Sequence, residues 1–174
     1  MPGEKQTFGT DPSDLFRIVM LIGAVIGAVS LFQTWFSMDF VFFRIDYAGY
    51  DFYLRSLSYP SNFPSIGYYA YMPFAVFIAS AAGVAVSALT FTKHWKKGAV
   101  AGFFLGCVIV ISALLYVFYP VSEMAFSTPG FSIVWEIRLM DYLGSGAYSA
   151  VTAGILLLLG GLLLMVRKKA APGA

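Results

Sequence analysis

Four long stretches without a formal charge constrain this chain more than any other feature. Residues 18–38, 68–91, 99–119 and 147–166 contain no Asp, Glu, Lys or Arg. About 20 apolar residues in helical form cross the hydrocarbon core of a bilayer. Inside that core a backbone must satisfy its own polar groups, which a helix does within one segment. The expected fold class is therefore an all-α membrane protein, a four-helix transmembrane bundle forming one domain over residues 1–174. The spans are expected at about 15–36, 68–91, 99–119 and 146–166, with loops at 37–67 and 120–145. Composition agrees: 59% of residues are hydrophobic and 11% charged, where soluble domains carry about 25% charged residues.

Small residues recur at four-residue spacing in each span. Gly23 and Gly27 lie in the first, Ala79, Gly83 and Ser87 in the second, Gly98, Gly102 and Gly106 in the third, and Gly146, Ala150 and Gly154 in the fourth. Lipid offers no hydrophobic contrast between helices, so association rests on close backbone approach, which small residues permit. Gly23, Gly27, Gly83, Gly98, Gly102, Gly106 and Gly154 are the expected packing positions of a compact bundle. Ser80, Ser87, Thr90, Ser112 and Thr152 read as satisfied hydroxyls or interhelical glue.

The segment 35–55, WFSMDFVFFRIDYAGYDFYLR, follows the first span directly. Val41, Phe43, Ile45 and Tyr47 alternate with Phe40, Phe42, Arg44 and Asp46, which is strand periodicity. Ala48-Gly49 can turn the chain, so a hairpin over 41–54 is expected. Residues 59–64 read as a loop, since two prolines there oppose helix. In the second loop, Phe131, Ile133, Trp135, Ile137 and Leu139 alternate with Ser132, Val134, Glu136 and Arg138, the clearest strand signal in the chain. A lone hairpin is marginal and a third strand makes it viable. A small antiparallel sheet built from both loops is therefore expected on the outer end of the bundle. Trp35 and Phe36, like Tyr68, Tyr69 and Tyr71, sit where an interfacial aromatic belt belongs.

Charge orients the bundle. The N-terminal segment with Arg17, the connector 93–98 and the tail after 166 hold eight Lys and Arg against three acids; the two long loops hold three Arg against six acids. Lys and Arg near span ends favour the cytoplasmic side. Both termini are expected in the cytoplasm and both long loops outside, in a multi-pass protein of the cell (plasma) membrane. Residues 1–14 read as an exposed tail, not a secretory leader, because their acids do not suit one. Asp14 is expected to cap the first helix.

The chemical inventory is sparse. A net charge of +2 does not suit a nucleic-acid binder. Cys107 and His94 are the only residues of their kinds, which leaves no disulfide framework within one chain and little imidazole chemistry. His94 is expected among headgroups beside Trp95, and Cys107 as a packing residue. Asp39, Asp46, Asp51, Glu123, Glu136 and Asp141 could gather over the bundle as oxygen ligands, but they read better as a solvated face with Arg44, Arg55 and Arg138 as surface partners. No catalytic, cofactor or metal site is expected, and the chain reads as a non-enzyme.

With four spans, cytoplasmic termini, Trp35 at the membrane and a strand in the second loop, the layout resembles the claudin-type tetraspan architecture. It departs from that pattern in having no cysteine in either loop. SLFQTWFSMDF, YAGYDFY and GSGAYSAVTAGILLLLGGLLLMVRKK also look like small prokaryotic four-span proteins of unknown function. The resemblance implies a structural or interaction protein: an accessory subunit of a membrane complex, or a self-associating tetraspan. The alternative class is a channel or transporter component with a path between protomers. The expected partners are the lipid bilayer and other membrane subunits or further copies of the chain, with no nucleic acid. Trp35, Phe40, Phe42, Tyr50, Tyr53 and Trp135 are the expected contact residues of the outer sheet.

The orientation has a direct test. With Cys107 replaced by Ser, an impermeant thiol reagent applied outside intact cells should label Ser61→Cys and not Lys96→Cys. Labelling of the Lys96 site from outside would reverse the assignment.

Overall fold

A computed structural model describes residues 12–39, 44–51, 54, 71–91, 97–118, 120–128 and 131–170. The elements are α1 (Pro12–Ser30), β1 (Thr34–Asp39), β2 (Arg44–Ala48), α2 (Met72–Phe91), α3 (Gly98–Phe118), β3 (Pro120–Thr128), β4 (Phe131–Arg138), a 3-10 turn (Leu139–Tyr142) and α4 (Ser145–Ala170). All four helices are long and apolar enough to span a membrane. They pack as an up-and-down ring, α1 on α2, α2 on α3, α3 on α4, with α4 closing on α1. The chain is a four-span helical bundle with small antiparallel β-structure between α1 and α2 and again between α3 and α4.

Proline marks several boundaries. Pro12 opens α1 and Pro73 lies in the first turn of α2, where a missing N–H costs nothing. α3 ends at Phe118, and Pro120 begins a strand. Asp14 lies inside the first turn of α1, not at its cap, and accepts from Arg17 Nη1 at 2.6 Å. The Arg17 guanidinium also lies 6.0 Å from the centre of the Phe91 ring, linking the start of α1 to the end of α2.

The ring is closed by backbone approach. A Cβ on Gly23 would stand 2.8 Å from Ala153 O and 3.0 Å from Leu157 N. On Gly106 it would stand 2.5 Å from Leu158 N and 2.8 Å from its Cα, and on Gly154 3.0 Å from Val110 N. Gly83 faces Leu157 and Ala24, and Gly27 faces Ser80 Oγ and Ala153. Gly102 faces only the flexible end of Met20, while Gly98 is buried where α3 begins. Gly160 and Gly161, which carry no four-residue signature, do the same work: one lies against Phe16 O and the other against Ala99 O and Phe103 N. Met20, Val76, Ile109 and Leu157 fill the space these contacts leave.

The hydroxyls divide. Thr90 donates to Ser87 O and Thr152 to Tyr148 O, each within its own helix. The buried Ser80 and Ser87 hydroxyls have no hydrogen-bond partner among the described residues. Small size and not bonding accounts for their place, since Ser80 packs on Gly27.

Three local expectations are corrected. The first helix ends at Ser30, six residues before the expected limit at 36. At 1.5 Å per residue its 19 residues already span nearly the whole hydrocarbon core, and 34–39 become a strand. The hairpin expected over 41–54 is shifted: β1 pairs antiparallel with β2, and Gly49–Asp51, read as a turn and second strand, are helical. Gly49 N donates to Gln33 O at 3.2 Å and Tyr50 N to Leu31 O at 3.1 Å, drawing the chain back to the end of α1. Finally, the loops do not merge into one three-stranded sheet. β4 pairs with β3 in a separate ribbon, and the β-bridge between the loops among the described residues is an isolated one, Phe36 with Leu143. A two-residue connection closes at far less entropic cost than pairing across two helices. The N-terminal tail, the loop 55–70 and the connector 92–96 with His94 and Trp95 lie outside the described residues.

These contacts rank the glycines. Gly106→Ala should destabilise the bundle by about 1–3 kcal/mol, since an inserted methyl meets backbone that cannot yield. Gly102→Ala should cost much less, because Met20 can swing away, whereas Gly102→Leu should loosen the fold. Melting in detergent micelles checks the order.

Candidate functional site

The end of the bundle that carries both loops is organised by Trp35. α1 stops just before it and leaves its last carbonyls without helical partners. Trp35 Nε1 donates to one of them, Ser30 O, at 2.7 Å. Its ring meets Tyr116 of α3 edge to face, with centroids 5.0 Å apart and planes at 90°. Its own carbonyl accepts from Gly144 N at 2.9 Å and from the Tyr116 hydroxyl at 3.2 Å. The indole is fully buried.

Glycines make room for it. A Cβ on Gly146 of α4 would stand 2.5 Å from Trp35 Cδ1, and one on Gly49 2.8 Å from Trp35 Nε1 and 2.9 Å from Pro73 Cβ of α2. Gly144 lies against Thr34 O. Through one residue and its cage, α1, α2, α3 and α4 are tied at this end. Phe36, also buried, extends the knot: it stacks on Tyr47 of β2 at 5.9 Å and meets Tyr142 of the 3-10 turn at 5.7 Å.

The outer face of the first hairpin is polar. Arg44 Nε lies 2.9 Å from Asp46 Oδ1 and 3.5 Å from Asp39 Oδ1. A hydrogen bond from Ser37, and then the one from Arg44, hold the Asp46 carboxyl below its ordinary value. The same pairing with Asp46 raises the Arg44 pKa. These groups are exposed, so the pairs add little stability. Asp51 Oδ2 accepts from Ala48 N at 3.2 Å. Asp39, Asp46 and Asp51 thus each meet a local donor, and Asp141 is exposed. Among the described residues no three His, Cys, Asp or Glu side chains come together as a metal-ion set.

The flank is aromatic. Tyr50 is exposed and lies 6.1 Å from the Phe32 ring, which in turn meets Phe77 edge to face at 6.4 Å. Phe77 stacks on Phe74.

The expected contact residues are therefore dispersed. Trp35 is in the core and offers no surface to a partner, and the interfacial position read for Trp35 and Phe36 is corrected by their burial. Tyr50 is at the surface. Phe40, Phe42 and Tyr53 lie outside the described residues. Trp135 takes its place in β4 opposite Met124. Tyr116, Gly49 and Gly144 were not legible as a cage, because they are far apart in sequence and none repeats at helical spacing.

No family model, curated protein or solved structure matches this chain. The likeness to claudin-type proteins rests on layout alone.

The cage has a graded signature. Trp35→Ala should cost about 3–5 kcal/mol, the range for emptying a large aromatic site. Tyr116→Phe should cost about 0.5–1.5 kcal/mol, toward the lower end because Gly144 N still serves the same carbonyl. Unfolding in detergent, followed by circular dichroism, measures both.

Proposed function

We propose that this chain is an integral membrane structural or interaction protein of the cell membrane: an accessory subunit of a membrane complex, or a self-associating four-span protein. The observation that carries this reading is the division of labour at the loop end. Trp35 and Phe36 are spent on holding the helices, while a polar hairpin and the aromatic flank of Tyr50, Phe32 and Phe77 remain at the surface. Aromatic residues supply large, rigid contact area, and they dominate interface energetics when a partner covers them. Phe40, Phe42 and Tyr53 belong to the same loop and complete the proposed docking surface.

The outward face of α2 supports self-association. Between the exposed Ile78 and Leu89 its outer residues include Ala81, Ala82, Ala85 and Ala88, whereas α1 and α3 turn Ile22, Val25, Phe104 and Ile111 outward. Both termini face the cytoplasm in this reading, and the chain performs no catalysis of its own. A transport role would need a path between protomers, since the spans carry no Asp, Glu, Lys, Arg or His at mid-membrane depth.

Co-purification in mild detergent should recover a discrete partner or a homo-oligomer. Exchanging Phe40 and Phe42 for Ser should leave the melting temperature of the bundle unchanged and remove that companion. Loss of the fold itself would take away the residue-level support for docking. Ion or solute flux through liposomes holding the purified protein alone would favour the transport class instead.

A further inference from the structure

The first hairpin changes in polarity along its length. Its tip carries Asp39, Arg44 and Asp46, all exposed, with Arg44 bonded between the two acids. From Thr34 to Met38 the first strand holds no charge. The register pairs Asp39 with Arg44 at the tip and Thr34 with Ala48 at the root, so five residues of strand, about 17 Å, separate the charged end from the uncharged one. Past the root the chain turns helical at residues 49–51, and Leu54 is helical too. Asp51 Oδ2 accepts from Ala48 N at 3.2 Å. This is the return bond of a capping box, and it turns the acid back onto its own backbone. Tyr50 and Leu54, four apart and so on one helical face, are both exposed, at 41% and 54%.

This helical turn is held at the level of the span ends. Tyr50 N donates to Leu31 O and Gly49 N to Gln33 O, so its backbone is bonded to residues that directly follow α1. Gly49 is buried against the Trp35 indole and against Pro73 in the first turn of α2. The membrane-length runs of α1 and α2 reach Ser30 and begin at Met72, beside these contacts. An aromatic chain then leads inward. Tyr50 meets the Phe32 ring, which is 64% exposed, and Phe32 meets Phe77. Phe77 lies five residues past the start of α2, about 7.5 Å along its axis. The exposed rings of Tyr50 and Phe32 thus continue the surface that α1 and α2 present to lipid.

From this placement we infer that the helical turn beginning at Gly49 is an interfacial anchor, with Tyr50 and Leu54 seated in the headgroup–acyl layer of the bilayer beside Phe32. The charged tip of the hairpin then rises from that layer into water. Tyr suits the boundary because its ring is apolar and its hydroxyl polar. A helical segment lying in the interface buries its apolar face and leaves the other hydrated. The Trp35 cage, through Gly49, sets the depth. The inference rests on the four-span architecture, and it narrows the docking surface proposed for the first loop. Lipid covers Tyr50 and Phe32 in the lone chain, so a partner that displaces it must itself be embedded in the membrane. A failed search for a partner leaves the anchor untouched, and an anchor standing in water leaves docking through Phe40 and Phe42 untouched.

The test uses the full chain with Cys107 replaced by Ser and an environment-sensitive fluorophore on Leu54→Cys or, at the hairpin tip, Asp39→Cys. Each protein is labelled in detergent and reconstituted into phosphatidylcholine vesicles. The Leu54 site should emit to the blue, lose intensity to a lipid nitroxide placed near the headgroups, and resist iodide supplied on both sides of the membrane. The Asp39 site should show the reverse. Equal quenching of the two sites by iodide would mean that the turn stands in water. A Leu54 site shielded from both quenchers would mean that protein covers it, the chain itself or a second copy. Either result overturns the inference. Tyr50→Cys carries the same expectation and is read in place of Leu54→Cys where that label lowers the melting temperature of the bundle.

Discussion

The hydrogen-bonded burial of Trp35 is the contact on which the loop end of this protein depends. A helix that stops at the edge of a bilayer leaves carbonyls that neither lipid nor the helix itself can satisfy. Here the indole N–H of Trp35 meets one of them, Ser30 O. The Trp35 carbonyl in turn takes donors from Gly144 and from Tyr116 on α3. One residue, through its indole and its carbonyl, thus ends α1 and sets where β1 begins. It also brings the segment before α4 against the first loop. Removing its side chain would leave a large void and take from Ser30 O one of its two donors, the other being Gln33 N at 3.1 Å.

Away from that end, contact distance governs the bundle. Water does not drive helices together inside a membrane, so packing must supply the attraction. Glycine places the helix axes close enough for backbone to touch backbone, as at Gly23 with α4 and Gly106 with Leu158. Gly160 and Gly161 extend this to both neighbours of α4, one facing α1 and the other α3. That adjacency explains why α4 is the helix on which α1 and α3 both close.

The two loops then take different parts. The first is anchored through Trp35 and Phe36, with its charged groups paired locally: Arg44 with Asp46 and Asp39, and Asp51 with its own backbone. The second forms its own ribbon and, among the described residues, meets the first where Leu143 bridges Phe36, Gly144 N donates to Trp35 O and Tyr142 meets the Phe36 ring.

Span number, apolar length and small-residue spacing were legible from the residues alone, because a hydrocarbon core demands uncharged helical runs whatever their neighbours are. Strand periodicity around 44–47 and 131–137 was legible for the same local reason. The end of α1 was not: residues 31–36 stay uncharged, and only the cage of Tyr116, Gly49, Gly144 and Gly146 makes a buried strand better than two more helical turns. The partner of β4 was missed, although Pro129-Gly130 is a strong turn signal, because PVSEMAFST alternates weakly. Which aromatic is core and which is surface was decided only by tertiary structure. Trp35 and Tyr50 look alike as aromatics of one loop, and burial separated them because one faces four converging helices and the other faces outward.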